Sequence, residues 1–109
     1  RTLSPSDVNY HPRCCGSQAE RDMAYHQGTE WPGLLGPFVE AYLRVYGNDG
    51  LLFVKTIYDN MEAAIKENCI GTIGEIYDGD EPHTPRGAVA QAWSVAELLR
   101  IKSMVDKVY

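Results

Sequence analysis

The stretch from Pro32 to Tyr46 constrains this chain more than any other, because as a helix it is apolar on nearly every side. Leu34, Leu35, Phe38, Val39, Tyr42, Leu43 and Val45 leave little circumference for water. A helix of that kind asks to be buried on most sides. A chain of 109 residues has a modest interior to offer it. Pro32 suits a first turn, and Thr29 or Glu30 stands where a capping side chain is wanted. Gly33, Gly36 and Pro37 weaken the early turns or admit a close neighbour.

The turn Gly47-Asn48-Asp49-Gly50 separates this segment from one with a different pattern. Between Leu51 and Asn68, one face carries Val54, Ile57, Tyr58, Met61, Ala64 and Ile65. The other carries Lys55, Asp59, Glu62, Lys66 and Glu67. This spacing predicts a helix with one wet side, a Glu62–Lys66 pair one turn apart, and Gly71 as its stop. A third helix is predicted from Gly87 to Val108. Val89, Ala92, Trp93, Ala96 and Leu99 form one stripe, and Val95, Leu98, Ile101, Met104 and Val105 a second.

Residues 1–30 show neither period and read as a long irregular segment. Residues 70–87 read as a loop, with at most a short extended piece over Gly71–Tyr77. The expected fold class is therefore all-α, in the order loop, buried helix, exposed helix, loop, buried helix. Inner and outer helices would alternate about an axis, a ring that three helices cannot close.

Charge and cysteine usage narrow the function classes. The net charge is −5 and the ten basic residues are scattered, which argues against nucleic acid or an anionic membrane as partner. No apolar run approaches a membrane span, and the opening RTLSPSD lacks the apolar core of a signal peptide. Starting at Arg1 inside a loop-like stretch, the chain reads as one domain, or a piece excised from something larger. Cys14, Cys15 and Cys69 are odd in number with two adjacent, a poor disulfide framework that points to free thiols in a reducing, cytoplasmic compartment. No spacing suggests zinc, and no cofactor is expected.

Two stretches carry chemistry. In YHQGTEWPG, residues 25–33, Tyr25, His26, Gln27 and Trp31 gather two aromatics, an imidazole and an amide just ahead of a helix start. Such a set binds sugars through flat rings on C–H faces and polar groups on hydroxyls; it also describes a structural loop with Trp31 as anchor. In GEIYDGDEPHTPRG, residues 74–87, Glu75 lies between Ile73 and Ile76 after Gly74. Apolar neighbours would partly desolvate that carboxylate and make it a better base. Asp78, Gly79 and Asp80 suit a tight turn, with His83 and Arg86 placed to neutralise them. A calcium loop, a solvated turn and half of a catalytic carboxylate pair all fit this stretch, although the EF-hand ligand spacing is absent. In AQAWSVAELLR, Gln91 and Trp93 are equally consistent with a satisfied amide and core packing.

RTLSPSD, YHQGTEWPGLLGPFVEAYLR and GTIGEIYDGDEPHTPRGAVAQAWSVAELLR together resemble the C-terminal part of prokaryotic glycogen-debranching enzymes of the amylo-α-1,6-glucosidase type. The resemblance runs over nearly the whole chain, with the blocks at the expected spacing. It implies that residues 1–109 are the C-terminal segment of an (α/α)6 barrel, twelve helices in two layers, whose remainder lies upstream. It further implies inverting hydrolysis of α-1,6-linked glucose stubs on glycogen or branched maltodextrin. Glu75 would be the general base, and Tyr25, His26, Gln27 and Trp31 would line the glucose pocket. The general acid would be an upstream aspartate, so the isolated chain is expected to be inactive and its bare helix faces to favour self-association. Three features depart from the family pattern: Gly33 where a second tryptophan is usual, Gly74 where proline is common, and the Cys14–Cys15 pair. The alternative is a carbohydrate-binding or helical interaction module without chemistry.

Overall fold

A computed structural model describes residues 1–107. Helices dominate, as the sequence patterns require, but each boundary is set by what the helix meets. Helix α1 spans Gln18–Ala24, helix α2 Leu35–Tyr46, helix α3 Leu51–Ala64 and helix α4 Ala92–Asp106. Single 3-10 turns at Pro32–Leu34 and Gly47–Gly50 lead into α2 and α3. Two short strands, β1 at Ile76–Tyr77 and β2 at Pro85–Arg86, pair antiparallel with Ile76 opposite Arg86.

Helix α1 lies inside the stretch expected to be irregular. It has no long apolar stripe, which is why periodicity misses it. Its signal is a capping box: the Glu20 amide donates to the Ser17 hydroxyl at 3.3 Å, and the Glu20 carboxylate accepts from the Ser17 amide at 2.7 Å. The rest of the segment is stitched down by its own backbone. The Thr2 amide donates to the Thr29 carbonyl at 2.9 Å, and the His11 amide to the Gln27 carbonyl.

Neither Thr29 nor Glu30 caps the helix start. Trp31 holds the capping position of the 3-10 turn, and its side chain makes no capping bond to it. The Thr29 hydroxyl instead donates back to the Tyr25 carbonyl at 2.8 Å. Glu30 pairs with Tyr77 through a bridge, its amide donating at 2.8 Å and its carbonyl accepting at 2.9 Å.

Helix α2 is not buried on most sides in this chain. Gly36 and Val39 are buried, whereas Leu34, Phe38, Val45 and Tyr46 are exposed, Val45 to 74%. Helix α3 matches its amphipathic reading, with Val54 and Met61 inward, but ends at Ala64 rather than Asn68. Lys66 therefore lies beyond the helix, and Glu62 accepts from the Tyr58 hydroxyl at 2.6 Å instead of pairing with Lys66. Gly71 closes the exit, its amide donating to the Ile65 carbonyl at 3.1 Å.

Helix α4 begins at Ala92, not Gly87, because the intervening residues have another use. The Glu75 amide donates to the Ala88 carbonyl at 2.9 Å and the Gln91 amide to the Ile73 carbonyl at 3.0 Å. Satisfying the acidic loop's backbone outweighs the helical pattern there. Val108, the predicted last residue of this helix, lies outside the described residues. Of its two stripes, the second faces inward: Leu98 and Ile101 are buried, while Leu99 is 62% exposed and Trp93 42%. Ser94 is also buried, and its hydroxyl donates to the Gly74 carbonyl at 2.8 Å. Helix α4 approaches α2 closely because Gly33 and Gly36 lack side chains; a Cβ there would collide with the Trp93 indole and the Glu97 carboxylate, one turn apart.

The main core joins Val39, Val54, Met61, Leu98 and Ile101 from the helices with Ile73 and Tyr77 from the acidic loop. A smaller cluster of Cys14, Ala24 and Ile76 packs against Tyr25 and Trp31. Among the described residues no helix is long and apolar enough to cross a membrane.

Ile101→Ala is expected to destabilise the chain by about 2–5 kcal/mol through lost burial and a residual cavity. Leu99→Ala should stay within about 0.5 kcal/mol. Urea unfolding of both variants checks which stripe faces the core.

Candidate active site

The two chemistry-bearing stretches are far apart in sequence and meet through the Glu30–Tyr77 bridge and the Tyr25–Glu75 contact, beside a turn built on one buried carboxylate. Asp78 has no solvent exposure. Arg86 donates to it from Nη2 at 3.0 Å and from Nε at 3.2 Å, and the Cys14 amide donates to its Oδ1 at 3.1 Å. Both of these Arg86 N–H groups converge on Oδ2, and Nε also reaches Oδ1 at 3.3 Å, so the guanidinium contacts both carboxylate oxygens. The Asp78 side-chain bond holds the Arg86 guanidinium above its ordinary range. His83 supports the same turn through its backbone: Nδ1 lies 3.0 Å from the Asp78 carbonyl and 3.6 Å from the Glu30 carboxylate. Asp80 accepts from the Tyr10 hydroxyl at 2.9 Å. Asp78 and Asp80 are thus committed to separate protein donors, which argues for a braced turn rather than a calcium loop. Of the expected neutralising pair, Arg86 performs that role on the Asp78 side chain and His83 does not.

Glu75 sits just before this turn. Its Oε1 accepts from the Tyr25 hydroxyl, and its Oε2 accepts from the Ala88 amide at 2.9 Å. Gly87, at φ +67°, lets the chain bend around Oε2, where a Cβ would clash with the carboxylate. The bond to Glu75, then burial, push the Tyr25 phenol up to about 12. Tyr25 is therefore a donor at any physiological pH.

Aromatic rings continue outward from this contact. Tyr25 meets His26 edge-on at 4.6 Å between centroids and Trp31 at 4.7 Å, and His26 stacks on Trp31 at 5.2 Å, nearly parallel. The Trp31 indole N–H donates to the Tyr25 carbonyl at 3.1 Å, which ties the ring to the end of α1. Glu75, Tyr25, His26 and Trp31 are thus brought together. Gln27 is not tied to them by these contacts, and its buried Oε1 has no partner among the described residues. Trp31 borders a cavity of about 420 Å³ with Glu30, Leu34, Phe38 and Tyr77. Tyr25 borders another of about 260 Å³ with Arg21, Arg86 and Gly87.

Sequence reasoning missed two parts of the site, the Ala88 amide and Gly87. Backbone donors leave no mark in residue type, but a glycine directly after the turn that follows an acid is a readable sign. Cys14 is buried, and burial followed by the Asp78 charge pushes its thiol up, so it packs as a neutral group rather than acting as a thiolate. All three thiols are unpaired.

Residues 1–100 match the sequence family described as Amylo-alpha-1,6-glucosidase. A protein of Saccharomyces cerevisiae named glycogen debranching enzyme is 44% identical over 48 residues, which are 38% of this chain and 3% of that protein. The chain thus spans about 3% of the length of that relative. No solved structure matches.

The Tyr25 shift carries a stability consequence. Its phenol ionises at about 12 in the fold against an ordinary value of 10.0, so the folded chain keeps a proton that the unfolded chain loses first. That contribution is fully present below pH 10 and disappears as pH climbs towards 12. Thermal melts over this window should show the loss in the native chain, and Tyr25→Phe should reduce the slope.

Proposed function

The chain belongs to the amylo-alpha-1,6-glucosidase family, and from that premise we propose that it forms the C-terminal part of an inverting glycoside hydrolase, of prokaryotic type, that removes α-1,6-linked glucose stubs from glycogen or branched maltodextrin. The carrying observation is Glu75, fixed through both oxygens by Tyr25 and the Ala88 amide beside the His26–Trp31 stack. A base that must meet water in one orientation gains from being fixed in advance.

In this reading Glu75 takes a proton from the attacking water while a general acid outside these 109 residues protonates the leaving oxygen. Inversion requires the two carboxyl groups to stand roughly 6.5–9.5 Å apart, with the water between them. His26 and Trp31 offer ring faces to the glucose unit, with Gln27 as a hydroxyl partner. The exposed apolar residues of α2 and α3, including Phe38, Val45 and Leu52, are the surfaces such an (α/α)6 barrel would cover. The reading carries with it a cytoplasmic location, in keeping with three unpaired thiols.

Replacing Glu75 by Gln in the intact enzyme should lower kcat on a branched maltodextrin by at least about 10²–10⁴-fold. Glucose-release assays read this directly, and near-native turnover would refute the assignment. In the same assay the isolated chain should release no glucose.

A further inference from the structure

We propose that Tyr25 is a positioning residue for Glu75 rather than a contact to the sugar: its hydroxyl holds Oε1 while the Ala88 amide holds Oε2, so that the carboxylate plane is fixed before substrate arrives. This inference rests on Glu75 being the base, and adds to it an account of what aims that base.

The geometry assigns the hydroxyl its role. A phenol has one proton to donate, and that proton goes to Glu75. The ring also packs edge-on against the stacked His26–Trp31 pair, so the hydroxyl cannot swing away without disturbing those contacts. Tyr25 lies at the C-terminal end of α1, where its amide donates to the Arg21 carbonyl. The second donor comes from the bend that follows β2, with Gly87 giving the room. The carboxylate is therefore gripped from two elements that meet only in the folded chain.

The surrounding groups leave that grip intact. Tyr25 faces Glu75, His26 and Cys14, and the thiol of Cys14 is itself held neutral by burial. Arg86, the nearest cation on β2, is committed to Asp78. The bond to Glu75 keeps Tyr25 protonated to about 12, so the donor is present throughout the working pH range.

A sugar contact and a positioning contact predict different kinetics. The intact enzyme carrying Tyr25→Phe keeps the ring packing and loses only the donor. Its kcat on a branched maltodextrin should fall about 10- to 100-fold, the value of a hydrogen bond to a charged group, with KM nearly unchanged. In the Glu75→Gln background the same change should cost little more, because the two residues act as a unit. A raised KM at unchanged kcat would overturn the inference and return Tyr25 to the sugar pocket. A full, additive loss in the Glu75→Gln background would overturn it as well. Should Tyr25→Phe fail to fold, Ala88→Pro removes the other donor: a fall in kcat at constant KM supports the two-point grip, and native kcat refutes it. The two readings fail separately: near-native turnover of Glu75→Gln sinks the base assignment, whereas an inactive Glu75→Gln with an unaffected Tyr25→Phe sinks only the positioning role.

Discussion

The ion pair between Asp78 and Arg86 is the constraint on which the rest of this structure depends. A carboxylate with no solvent exposure survives only if its charge is matched and its lone pairs are filled. Arg86 supplies two donors and the nearer of two positive charges, Arg13 stands 3.9 Å away, and the Cys14 amide fills a further position. Removing Arg86 would leave the buried Asp78 carboxylate with only the more distant Arg13 to match its charge. That requirement makes the geometry obligatory. Cys14 brings the N-terminal segment to the acidic turn, and Arg86 brings the returning strand, so three stretches of chain converge on one side chain.

That convergence places the candidate site. The Ile76–Arg86 register brings Gly87 level with Glu75 and leaves the Ala88 amide next to it within reach of the carboxylate, and the segment held at Cys14 runs into α1, whose end presents Tyr25. The bridge between Glu30 and Tyr77 then sets Trp31 beside the same strand. Glu75 is thus aimed by contacts that none of its near neighbours in sequence provides. Gly33 shows the same logic in packing. The resemblance leads one to expect a tryptophan there, and the indole of Trp93 packs against the vacant position instead.

The helices tell a complementary story about burial. Their apolar residues exceed what the chain can cover, and α2 leaves Phe38, Val45 and Tyr46 in water. Phe38, Tyr42, Tyr46 and Phe53 gather into a ring cluster on that side, with Tyr42 and Tyr46 at 4.5 Å. The interior is shared between the helices and the acidic loop, since Ile73 and Tyr77 complete the core that Val39, Val54 and Ile101 begin. Stability and site geometry are therefore carried by the same loop.

The helical class, the amphipathic face of α3, the room at Gly33 and Gly36 for a close neighbour, and the residue types from which a sugar-handling site would be built are all legible in the residues alone. These are local properties: period, side-chain volume and chemical group are written in adjacent residues. The sequence also contained the Ser17–Glu20 box, a local signal that apolar periodicity alone passes over. The folded chain adds that α4 starts at Ala92, that its Leu98–Ile101 stripe faces inward, that Thr29 turns back to Tyr25 instead of capping, and that Tyr25 meets Glu75. The start of α4 depends on long-range backbone pairing, the inward stripe on apolar packing across the fold, and the Tyr25–Glu75 contact on two segments that meet only when folded. A buried N–H or C=O must be paired wherever the chain's path brings it, and no spacing along the sequence records that path.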